Sequence, residues 1–112
     1  MTDFYVSISP QEAMKRIDNE IINGSITGEK VDEYVNDMGN GTMVAVSVYE
    51  KHYYRASNRL TLTVVVDNLR NGTHVHIVGG GGGQGFFNFD WGAADDFEVC
   101  AYAALIDYVV KE

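Results

Sequence analysis

The chain has 112 residues, 46% of them apolar and 21% charged, and its 8 Lys and Arg against 16 Asp and Glu give a formal net charge of −8. That size and balance predict a single soluble domain spanning 1–112, and the acidity argues against nucleic acid or an anionic membrane as partner. Cys100 is the only cysteine, so an intramolecular disulfide is excluded, and the lack of a basic, apolar leader or any run of ~18 apolar residues predicts a cytoplasmic protein.

Phe4, Val6 and Ile8 alternate with Tyr5 and Ser7, which predicts a short first strand. Ser9 can cap a helix there, Pro10 suits its first position, and Glu12 completes a capping box. Met14, Ile17 and Ile21 then form one apolar face, and Gly24 is the expected left-handed stop, so the helix runs from about 10 to 23. Residues 29–38 fit either a helix or a strand; we read a hairpin arm turning at Gly39-Asn40-Gly41.

From Thr42 the period is two. Val44, Val46 and Val48, then Leu60, Leu62, Val64 and Val66, then Val75 and Ile77, are each read as an inward stripe, with Asp67 to Gly72 as the turn before the last of these strands. The final helix carries Phe97, Cys100, Ala101, Ala104, Leu105 and Tyr108 on one side, with Asp95 and Asp96 at its start. Val99, Tyr102, Ala103, Ile106 and Val110 form a second apolar stripe, so this helix requires two partners: the sheet, and either helix one or a second copy of the chain. The fold class predicted is α+β: an antiparallel meander with two helices packed on one face, in the order β-α-β(n)-α.

Glycine fills positions 79 to 83 and 85, so Gly80, Gly82 and Gly85 spell the spacing of a dinucleotide turn. That device needs a helix directly after the glycines to meet the phosphate. Here Phe86, Phe87, Asn88 and Phe89 follow, which read as strand, so the run is taken as a mobile hairpin or bulge. As a lid it would place Gly80, Gly82, Gly85, Phe86 and Trp91 at a ligand pocket between helices and sheet. His74 and His76 share one strand face, the outer one, beside Thr61, Thr63, Ser47 and Tyr49. Two imidazoles so placed can share a metal, yet no third ligand is marked by spacing, so no metal site is assigned. Cys100 reads as a small core residue and no carboxylate pair marks acid–base catalysis. Tyr49 and Tyr53, with Tyr102 and Ile106 on the terminal helix, are the candidate interface residues.

The capped helix, the segment Tyr49 to Arg59 (YEKHYYRASNR) and the Gly-rich run leading to Phe86-Phe87 resemble a family of small bacterial proteins of unknown function, across about Phe4 to Val110. The resemblance implies a compact α+β domain and supplies no active site. The expected function is therefore a non-catalytic binding or protein-interaction module that self-associates as a homodimer, with no cofactor. The alternatives are the small-ligand pocket gated by Gly79–Gly85, with an unidentified small molecule or protein as partner, and a metal-dependent enzyme using His74 and His76.

Overall fold

The computed structural model describes residues 1–24, 28–53, 58–81 and 91–110. Strand β1 (Thr2–Val6) leads into helix α1 (Pro10–Asn23). Ser9 is extended, and its Oγ accepts the Glu12 N–H at 3.1 Å, with Pro10 in the first turn where a missing N–H costs nothing. The Glu12 carboxylate does not close a capping box; it stands 2.9 Å from Arg16 Nε, an ion pair without hydrogen-bond alignment. Gly24 ends the helix in a right-handed conformation, φ −91°, rather than the expected left-handed one. The glycine answers a close approach instead: a Cβ there would lie 2.4 Å from the Glu20 carbonyl oxygen.

Residues 29–38 follow the hairpin reading. Strand β2 (Glu29–Asp37) turns into β3 (Met43–Tyr53) through Gly39 and Gly41, at φ 84° and 90°, a region that glycine enters without Cβ strain. Asp37 accepts the Gly39 N–H at 2.8 Å and Asn40 that of Thr42 at 3.1 Å. Strands β4 (Asn58–Arg70) and β5 (Gly72–Gly81) complete a five-stranded antiparallel sheet in the order β1-β5-β4-β3-β2. The expected turn at 67–72 is mostly strand; β4 runs through an irregularity between Asp67 and Arg70 and reverses at Gly72, φ 123°. Asn68 uses that irregular stretch to hold the β2–β3 turn, donating to Gly41 O and accepting from Met43 N, both at 2.8 Å.

The last helix, α2 (Trp91–Ala103), begins before Asp95 and Asp96, so neither marks its first residue, and it stops short of Tyr108. A 3-10 turn, Ile106–Tyr108, follows. The chain then lies along β1: Ser7 N donates to Tyr108 O, Val110 N donates to Tyr5 O, both at 2.8 Å, and Val6 bridges Val109. The C-terminal end of the outer edge of β1 is thereby covered by the chain itself.

Ala13, Ile17 and Ile21 of α1 and Phe97, Ala101 and Leu105 close to α2 pack on the same sheet face, over Leu60, Leu62, Val64, Val66, Val75 and Ile77. Those six strand positions face inward as expected. Strand β3 does not follow the expected parity. Met43, Ala45, Ser47 and Tyr49 are buried, while Val44, Val46 and Val48 point away from the helices. Pairing decides this: Ala45 sits opposite Val66, Ser47 opposite Val64 and Tyr49 opposite Leu62. Residues directly opposite share a face, so the odd residues of β3 must join the even residues of β4.

Candidate functional site

The parity of β3 creates the feature that most needs a function. The outer face of the sheet is crossed by the row Tyr34, Val46, Val65, His76, Asp3, flanked by the rows Asn36, Val44, Asp67, His74, Tyr5 and Asp32, Val48, Thr63, Val78. Val44, Val46, Val48 and Val65 adjoin one another there, half-buried, and exposed Val78 joins them past Thr63, with Tyr34 beside Val46 61% exposed. Among the described residues no helix covers this side; the helical core residues all belong to the inner face.

Next to the valines, β1, β4 and β5 bring together a polar cluster. Asp3 stands 2.6 Å from His74 Nε2 through one carboxylate oxygen and 2.6 Å from His76 Nδ1 through the other. Asp67 stands 3.2 Å from His74 Nδ1. An ionised carboxylate only accepts, so two of them facing the two ring nitrogens of His74 favour its doubly protonated form. Burial lowers the pKa of His74, but its bonds to Asp3 and Asp67 outweigh that and hold it above the usual value. The bonds from His76 and His74 hold Asp3 below the usual carboxylate range. The Tyr5 ring lies 5.0 Å from that of His74, and an open groove of about 460 Å³ runs past Tyr5 and His74 to Leu69 and Arg70.

His74 and His76 are therefore on the outer face, as expected, and Thr61 and Thr63 share it. Ser47 and Tyr49 do not. Among the described residues no group of three or more His, Cys, Asp and Glu is placed to hold a metal ion. Three of the four ring nitrogens face carboxylates.

Over this geometry, the model of a family described as Family of unknown function (DUF6054) matches residues 1–108. The chain belongs to that family. No curated protein and no solved structure gives a significant match.

The other candidate residues of this DUF6054 chain are scattered. Tyr49, read as an interface residue, is 1% exposed; its hydroxyl donates to Asp18 of α1, because an inward tyrosine under a helix needs a partner for its O–H. Burial first, and then Asp18, push its pKa well above the ordinary phenol value, so it stays a donor. Lys30 bonds both Asp18 and Glu33, tying α1 to β2. Tyr53 ends β3, with its side chain outside the described residues. Tyr102 is half-buried edge-on against Phe4, ring centroids 4.8 Å apart, while Ile106 is 56% exposed.

Gly80 lies in β5 opposite Thr61, so Gly79 to Gly81 extend a strand instead of opening a loop, and no turn cradles a phosphate there. Gly82, Gly85 and Phe86 lie outside the described residues, as does the side chain of Trp91. Among the described residues the space between helices and sheet is filled by fully buried side chains such as Ile17, Leu62, Ile77 and Leu105. Cys100 is half-buried, and burial together with the Glu20 charge raises its pKa, which disfavours the thiolate a nucleophile requires.

Sequence reasoning missed Asp3, Asp67 and Glu98. Glu98 reads as one more acid of a helix start, yet it is 6% exposed and accepts from Gly79 N at 2.8 Å and the Thr2 hydroxyl at 2.9 Å. Burial opposes its charge, but these donors and the Met1 ammonium outweigh it and lower the pKa. Asp3 had one sequence signal: it shares the outward parity of Tyr5. That β1 pairs with β5 was not readable from spacing.

Proposed function

We propose that this protein is a non-catalytic interaction module that pairs with a second copy of itself through the outer face of its sheet. The observation that carries this reading is the block of five outward valines. An antiparallel sheet with one face in water alternates apolar and polar residues, and β3 instead turns Val44, Val46 and Val48 outward in succession.

Strand spacing of ~4.8 Å and a rise of ~3.4 Å per residue make the block, from β2 to β5, roughly 19 by 20 Å, or about 400 Å² on each copy. That matches the largest apolar patch of a typical monomer; counted on both copies it is about 800 Å², below the ~1,200 Å² at which standard specific interfaces begin, so the association is weak and concentration-dependent. Facing two sheets about a two-fold parallel to the strands stacks β4 on β4, with Val65 near the axis. The His74 side of each copy then lies over the β3 side of the other, which keeps the two imidazolium groups apart.

Sedimentation velocity from micromolar to millimolar concentration tests this. The sedimentation coefficient is expected to rise with concentration in the unmodified protein, and Val65→Lys to abolish the rise with an unchanged melting temperature. A monomer at every concentration, or a Val65→Lys variant that associates like its parent, refutes the reading.

A further inference from the structure

We infer that the free edge of β2 is a docking site for an extended basic peptide, which adds as a sixth strand and sends its inward side chains into the groove between α1 and β2. This surface is distinct from the valine block, and the inference does not depend on self-association.

The two edges of the sheet are treated differently. The β1 edge is covered at its C-terminal end by Tyr108–Val110. Strand β2, nine residues long, ends the sheet at the other side and, among the described residues, pairs with β3 alone. A register shift at Val31 breaks its regularity, but Asp32 to Asp37 run on in an unbroken ladder, so six consecutive residues present one free backbone edge. Strand addition to such an edge takes its affinity from main-chain hydrogen bonds and its specificity from pockets for alternate side chains.

The pockets are present. On the inner face, Glu33, Val35 and Asp37 alternate along β2, and with α1 they line a groove of about 470 Å³ whose apolar surface is Met14, Val35 and Met43. Val35 is 45% exposed, an apolar strand residue whose neighbouring place is empty among the described residues.

Charge selects the occupant. Strand β2 carries Glu29, Asp32, Glu33 and Asp37 against Lys30 alone, whose ammonium is already held by Asp18 and Glu33, and α1 adds Lys15 and Asp18 to the groove lining, which leaves the groove net acidic. Pairing β2 of one copy with β2 of another would set these acids against each other, and like charges on facing strands repel. A second copy is thus the wrong partner for this edge. The complement is a strand with cations opposite Glu33 and Asp37 and a branched aliphatic residue opposite Val35: basic, any, aliphatic, any, basic.

The probe is a labelled Lys-Thr-Val-Thr-Lys peptide with blocked ends, titrated with the full chain and followed by fluorescence anisotropy. Saturable binding is expected, as is none for the Glu-Thr-Val-Thr-Glu counterpart. Glu33→Gln with Asp37→Asn keeps the acceptors for Lys30 and the Gly39 N–H while removing both charges. It is expected to weaken binding about tenfold with the melting temperature unchanged. The same peptide N-methylated along its backbone keeps its charge but cannot join a ladder, and it is expected not to bind. Val65→Lys is expected to bind the peptide like the parent, whatever its oligomeric state. Absence of saturable binding, equal affinity for the N-methylated peptide, or equal affinity in the doubly neutralised variant overturns the inference; the second outcome means general electrostatic attraction rather than strand addition, and the third means that Glu33 and Asp37 do not select the peptide.

Discussion

Adjacent valines 64 and 65 on β4 differ in little except direction, and truncating each to alanine measures that direction. Val64 is 2% exposed, in the same inner cluster as Ile17 and Ile77, whereas Val65 lies on the outer face opposite Val46 and His76. Val→Ala removes two buried carbons, about 0.8 kcal/mol each by transfer. A residual cavity adds to this, since neighbours as tightly held as Leu62 and Val66 relax little, and the total at position 64 is about 2–3 kcal/mol. At position 65, which is half-buried and encloses no cavity, the same change loses part of a strand propensity and a smaller share of burial, about 0.5 kcal/mol. For a domain of this size 1 kcal/mol shifts the melting temperature by about 4 °C. The expected shifts are therefore about 10 °C for Val64→Ala and about 2 °C for Val65→Ala. Urea unfolding followed by circular dichroism at low protein concentration, where self-association is negligible, supplies the two free-energy losses, and thermal melts under the same conditions supply the two shifts. Equal losses, or a larger loss at 65, would show that the two faces of β4 are assigned the wrong way round, and the valine block with them.

Stability should also depend on pH through the outer-face cluster. His74 has a raised folded pKa, so its contribution is complete below the unfolded value of ~6.5 and is lost as pH rises through the folded one; Asp3 has a lowered pKa, so its contribution is complete above ~3.9 and is lost as pH falls through the folded value. The urea midpoint is expected to be highest between these limits and to fall on both sides, with His74→Gln removing the alkaline fall; an unchanged alkaline limb in that variant would refute the assignment. Two glycine substitutions separate close approach from mere flexibility. Gly24→Ala forces a Cβ against the Glu20 carbonyl and is expected to lower stability by more than about 1 kcal/mol, whereas Gly80→Ala meets only Thr61 Oγ1 at 3.6 Å and is expected to be tolerated, both read by thermal melts.

Much of the architecture follows from local signals. The Ser9-Pro10 start and the Ile17, Ile21 stripe specify α1, because capping and a 3.6-residue period act within a few residues of chain. The even-numbered stripe of β4 and the odd-numbered stripe of β5 were readable for the same reason, since each has one apolar face. Gly39 and Gly41 identify the β2–β3 turn through their positive φ. The chemistry of the outer face was half visible: His74 and His76 were placed on it, but Asp3 reaches them from 71 and 73 residues away, and no local pattern encodes that contact.

What the sequence determined by itself is the set of elements and the α+β class, because caps, turns and periods are short-range physics. What only the tertiary structure decided is which side of β3 meets the helices. Both parities of that strand are apolar, so its own pattern is silent; the answer lies in the pairing of Tyr53 with Asn58, which seats odd residues of β3 beside even residues of β4. A shift of one residue would have buried the valines and exposed Tyr49. The register instead buries Ala45, Ser47 and Tyr49 beneath the helices, with the Tyr49 hydroxyl satisfied by Asp18, and leaves the outer valines facing solvent.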